Sequence, residues 1–105
     1  MRNISKEALD NPQIGDHWTE MFSWDLFVVG IEGDLIFSLE GARPLTFPAD
    51  GIPKIRTRKE FTNFFTYKTS GYGFSGIWGQ CIERGKNVEN WMSLKFEKKW
   101  TIKDE

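Results

Sequence analysis

Residues 24–40 constrain the fold of this chain more than any other stretch. The run Trp-Asp-Leu-Phe-Val-Val-Gly-Ile is rich in β-branched and aromatic residues, breaks at Glu32-Gly33-Asp34, and resumes as Leu-Ile-Phe-Ser-Leu-Glu. Two such runs around a short glycine-bearing break read as a β-hairpin. In the return strand Leu35, Phe37 and Leu39 share one face, while Ile36, Ser38 and Glu40 share the other as a mixed row. Phe27, Val29 and Ile31 of the outgoing strand are expected on the same core side as Leu35, Phe37 and Leu39.

The flanking segments extend this picture. Between Gly15 and Phe22, Trp18, Glu20 and Phe22 alternate with His17, Thr19 and Met21, which predicts a strand over 16–22. Pro44, Pro48 and the pair Asp50-Gly51 exclude a central strand over 43–51 and favour an extended edge followed by a turn. Thr57 stands three residues before Glu60, the spacing of a capping box, and Phe61, Phe64 and Phe65 follow on one helical face. That pattern predicts one helix over 58–66, its phenylalanines covering an open end or face of the sheet. Residues 69–76 are glycine-rich but lack the Lys-Ser/Thr of a phosphate-binding loop, so they read as a bend or bulged strand. Around Arg84-Gly85-Lys86-Asn87 a second hairpin is expected, with strands over 76–83 and 89–97. Residues 1–14 carry few apolar anchors and read as a poorly ordered tail or short helical turn that adds little to the core, leaving 15–105 as one domain.

The expected fold class is therefore mainly β with one short helix: a strongly curved antiparallel sheet or a small SH3-like open barrel, with an α+β roll as the alternative. At 105 residues the chain can bury about 65% of its unfolded surface around one core without staples. Cys81 is the only cysteine, which excludes an internal disulfide and fits a reducing, cytoplasmic setting. The N-terminus has no apolar signal segment, and the longest apolar run, 26–31, is too short to cross a bilayer. Net charge is −1, yet residues 1–52 sum to −6 and residues 53–105 to +5. This asymmetry suits self-association or an anionic partner if it forms a spatial patch, and has no consequence if the halves interleave.

Five Trp, nine Phe and two Tyr are more aromatic area than one small core holds, at roughly 150–250 Å² each. The surplus is expected to line a groove or an oligomer interface, with Trp18, Trp24, Tyr72, Trp78 and Trp91 as candidates. A homodimer, or a protein or small-molecule ligand, would occupy it.

Catalytic chemistry has few sources here. Asp16, His17 and Glu20 are the densest titratable cluster, but on a strand Asp16 and His17 point to opposite faces, so His17 has no local carboxylate partner. His17 and Cys81 could form a nucleophilic dyad if their strands adjoin, although a lone strand cysteine is more often a small core residue. One histidine and one cysteine cannot build a Cys/His zinc site within one chain, and no cofactor motif is present. Lys54, Arg56, Arg58, Lys59 and Lys68, near Tyr67 and Tyr72, form the best nucleic-acid candidate. The predicted pI of about 5.9 argues against it.

Gly15-Asp16-His17-Trp18-Thr19-Glu20, the hairpin from Val28-Val29 to Leu39, Thr46-Phe47-Pro48-Ala49-Asp50-Gly51, and Thr57 through Glu60-Phe61 with Tyr67 give an order that resembles short uncharacterised β-rich proteins of bacterial mobile elements, of the phage or integron gene-cassette type. The resemblance covers about residues 15–67 and implies an accessory protein without a transferable catalytic residue. The leading expectation is thus a self-associating binding module. A nucleic-acid-binding regulator using residues 54–68 is second, and a small enzyme using His17 with the carboxylates or Cys81 is third.

Overall fold

The computed structural model describes residues 5–20, 24–42, 46, 50–66, 80–88 and 91–100; for Ser5, Lys6, Glu20, Phe65, Thr66 and Gln80 it describes the backbone alone. The hairpin forms as the sequence predicts. Strands β2 (Trp24–Glu32) and β3 (Leu35–Ala42) run antiparallel around Gly33, whose φ of 62° is the left-handed geometry that glycine adopts without strain. β1 (His17–Glu20) pairs with β2, β4 (Ile52–Thr57) with β3, and β5 (Gln80–Glu83) with β1. The result is one open antiparallel sheet in the order β4-β3-β2-β1-β5, a mainly β fold.

The capping box is formed in full. Thr57 Oγ1 accepts from the Glu60 amide at 3.1 Å, and Glu60 Oε1 accepts from the Thr57 amide at 2.7 Å, which starts α2 at Arg58–Thr66. Phe61 is buried in the core and Phe64 packs against it; the Phe65 side chain lies outside the described ones.

Both faces of the sheet are covered, which a single-helix expectation does not provide. On one face α1 (Ser5–Asp10) and α2 pack Ala8, Leu9 and Phe61 against Trp18, Leu26, Val28, Ile36 and Cys81. On the other, α3 (Trp91–Glu97) packs Leu94 against Phe27, Val29, Phe37 and Leu39. The mixed row Ile36, Ser38 and Glu40 is therefore buried as fully as its apolar opposite.

Three expectations are corrected. First, the N-terminal segment does contribute to the core: α1 buries two apolar side chains, Ala8 and Leu9, at adjacent positions. Second, residues 91–97 are helix, not the outer strand of a second hairpin; the described helices number three. Leu, Met, Lys and Glu favour helix, the run contains no β-branched residue, and apolar alternation over seven positions does not separate the two periods. Of the inner strand expected over 76–83, β5 occupies 80–83, and 76–79 lie outside the described residues. Third, Ile31 faces the α1–α2 side. Val28 pairs with Ser38 and Gly30 with Phe37, so one extra residue on β2 makes a bulge that reverses the alternation beyond it.

Candidate functional site

Among the described residues the most exposed large apolar side chain is Phe96, on the outer face of α3, and the fold holds that helix by its inner face. Trp91 and Leu94, three positions apart, point to the sheet. Trp91 lies against Gly30, where a β-carbon would overlap the indole. Its ring also sits 5.0 Å from Phe37 and 5.6 Å from Trp100, and Phe37 and Trp100 are 5.3 Å apart, centroid to centroid. Rings this close form a packed cluster with no room for a ligand between them. Polar ties complete the anchoring: Lys95 Nζ is 2.7 Å from Glu32 Oε2, Lys98 Nζ donates to the Gly51 carbonyl at 3.3 Å, and Trp100 Nε1 donates to the Leu94 carbonyl at 3.3 Å.

With Leu94 facing in, Met92 and Phe96, four residues apart, face out. Met92 is 55% exposed and Phe96 80%. Leaving a phenylalanine in water rather than buried forgoes about 1.5–3 kcal/mol. Exposed Glu97 and Lys99 flank it with opposite charges.

A second constellation surrounds His17, whose side chain is 12% exposed. The register puts His17 opposite Phe27 on β2 and Glu83 on β5, and its imidazole stacks on Phe27 at 4.1 Å with planes 19° apart. Nε2 lies 3.3 Å from Oδ1 of buried Asp25, and Nδ1 lies 3.7 Å from Oε2 of Glu83. Lys86 Nζ is 3.4 Å from the same Glu83 oxygen and 5.2 Å from the Phe27 centroid. Both carboxylate partners come from other strands, so local sequence spacing carried no signal of either.

The predicted sites are redistributed by these contacts. Asp16 is buried, its carboxylate accepting from the Gln13 amide at 3.0 Å and the Gly85 amide at 3.3 Å; it closes the loop before β1 rather than orienting His17. Burial holds its pKa above the ordinary carboxylate value, with those two bonds and Arg84 opposing the rise. Glu20 belongs to β1, and its side chain lies outside the described ones. Cys81 packs beside Trp18 under α1 and α2, on the face opposite the His17 ring, so the two do not form a dyad. Its thiol donates to the Glu83 carbonyl at 3.1 Å, and burial, aided by the Asp16 charge, pushes its pKa up to about 12. It is held as a thiol. In the native protein, Cys81 should react with a disulfide reagent at least about 100-fold more slowly than in the urea-unfolded chain, and equal rates would contradict this burial.

Of the aromatic candidates, Trp18 is wholly buried, edge-on to Phe61 at 6.4 Å, and cannot line an interface. Trp24 is half-buried against the same core, and Trp91 anchors α3. Tyr72 and Trp78 lie outside the described residues, as does Lys68. The basic stretch loses its centre: Arg56 is 2% exposed, hydrogen-bonded to Glu40 and stacked 4.2 Å over Phe64, while Lys54 and Arg58 are partly buried and Lys59 is exposed. Among the described residues no three His, Cys, Asp or Glu side chains converge as a metal ion requires. No described helix is long and apolar enough to cross a membrane.

Comparison with protein-family models, curated proteins and solved structures found no match.

Proposed function

We propose that this chain is an interaction module that self-associates through the outer face of α3. The observation that carries the reading is the 80% exposure of Phe96 beside Met92 on a helix anchored to the sheet by Trp91, Leu94, Lys95 and Lys98. Single exposed apolar residues are ordinary, but a phenylalanine and a methionine sharing one helical face are the residue types enriched at interface centres. Presentation on a fixed helix limits the ordering that binding has to impose. A second copy suits the surroundings: Glu97 and Lys99 give the rim both signs of charge, and a net charge of −1 opposes association little. An accessory role on a bacterial mobile element, in the reducing cytoplasm, is supported by the sequence resemblance and the lone Cys81.

Sedimentation equilibrium tests the reading. The mass of the wild-type protein should rise with concentration from monomer towards dimer. Phe96→Glu should weaken the dissociation constant about 30-fold or more, the scale of an interface hot spot, without altering the far-ultraviolet spectrum. A wild-type protein that stays strictly monomeric at high concentration would overturn it.

A further inference from the structure

We infer that Pro53 and Glu60 close the outer edge of β4 to strand pairing with a second copy of this chain. β4 ends the sheet in the order β4-β3-β2-β1-β5, so one side of its backbone faces β3 and the other has no strand neighbour among the described residues. Such an edge is a template for another strand. Apart from its proline, Ile-Pro-Lys-Ile-Arg-Thr over 52–57 suits that pairing in length and in its β-branched residues, Ile52, Ile55 and Thr57. Ile52 is 47% exposed.

The register fixes which backbone groups point outward. Pairing with β3 runs without a slip from Thr57 opposite Leu35 to Ile52 opposite Glu40, and one step beyond Thr57 the Arg58 amide donates to the Asp34 carbonyl at 2.9 Å. In an antiparallel pair, hydrogen-bonded and non-hydrogen-bonded positions alternate. Arg56, Lys54 and Ile52 therefore turn their backbone groups to β3, as Arg58 does, while Thr57, Ile55 and Pro53 turn theirs outward. Proline has no N–H to offer, and an outward position on an edge strand is where a sheet admits one. The Thr57 amide donates to Glu60 Oε1 at 2.7 Å, a bond that agrees with its outward direction and occupies it. Of the three outward positions, only Ile55 keeps an N–H for an incoming strand. The capping box thus has a second role: the bond that helps to start α2 also withdraws a donor from the sheet edge.

Sedimentation equilibrium in the Phe96→Glu background, where the outer face of α3 carries a charge, reads this edge without reliance on the self-association proposed above. Adding Pro53→Val and Glu60→Ala supplies the outward N–H at position 53 and frees the one at Thr57, while Thr57 Oγ1 remains to cap α2. The mass should then rise towards dimer at concentrations at least about 30-fold below those at which Phe96→Glu alone associates, the scale of a few added backbone hydrogen bonds. Pro53→Val without Glu60→Ala leaves the helix start whole and should give part of the same gain. Amide exchange at Ile55 should slow as the edge variants associate, and in the wild-type protein it should not vary with concentration. No gain in association, or a gain without protection of Ile55, would overturn the proposal, as would concentration-dependent protection of Ile55 in the wild type. Glu40→Ala controls for association through unfolding: added to Phe96→Glu, it weakens the fold with Pro53 and Glu60 in place, and an equal rise in mass there would also overturn the closure.

Discussion

Glu40→Ala is expected to lower the stability of this fold by about 3–5 kcal/mol, the cost of leaving a buried charge without its partner. Glu40 is 4% exposed and Arg56 2%, and the guanidinium Nη1 donates to Glu40 Oε2 beneath α2. Arg56 also lies over the Phe64 ring, so it cannot swing into water without unpacking the helix that covers it. Domains of this size have about 5–15 kcal/mol of total stability, so the loss takes a large share. Replacing both partners by apolar residues of similar volume, Glu40→Leu with Arg56→Met, should come out near neutral, because the desolvation cost disappears with the charges. Urea unfolding of the wild type and the two variants decides it. Near-equal midpoints for Glu40→Ala and the wild type would show that Arg56 finds water or another partner.

That buried pair also shows what could be read in advance and what could not. Local chemistry was legible: the Thr57–Glu60 box set the start of α2, and Gly33 set the turn between β2 and β3. These signals act over three or four residues and depend on no distant neighbour. Arg56, by contrast, alternates with Lys54 as a solvated strand face does, and only the packing of α2 over β3 and β4 encloses it. The partners of His17 were hidden for the same reason, since Asp25 and Glu83 reach it through strand register. Residues 91–97 failed differently. Their alternation was real, but the contact that selects helix is made by Trp91 and Leu94 with the far face of the sheet, which the local pattern does not contain. The aromatic surplus was half resolved: Trp18 went to the interior, Trp91 and Trp100 to a cluster with Phe37, and Phe96 to the surface.

Gly30→Ala is expected to cost about 1–3 kcal/mol, although alanine suits a strand better than glycine. The added methyl would occupy the space of the Trp91 indole, and the ring is confined by Phe37 and Trp100. Trp91→Ala removes the obstacle at its own cost of buried aromatic area. In that background the second change should be nearly free, giving a coupling of about 0.5–3 kcal/mol between the two positions in a double-mutant cycle. Additive losses would mean that Gly30 is required by the β2 bulge itself rather than by the helix above it. The same variants connect packing to the proposed activity. Trp91 is the first residue of α3, and displacing it tilts the helix that carries Met92 and Phe96. Gly30→Ala should therefore weaken self-association as well as stability, although Gly30 is buried beneath α3, on the side of the helix away from that surface. Weakened folding with an unchanged dissociation constant would separate the two effects, leaving Phe96 sufficient for association without the fixed presentation of its helix.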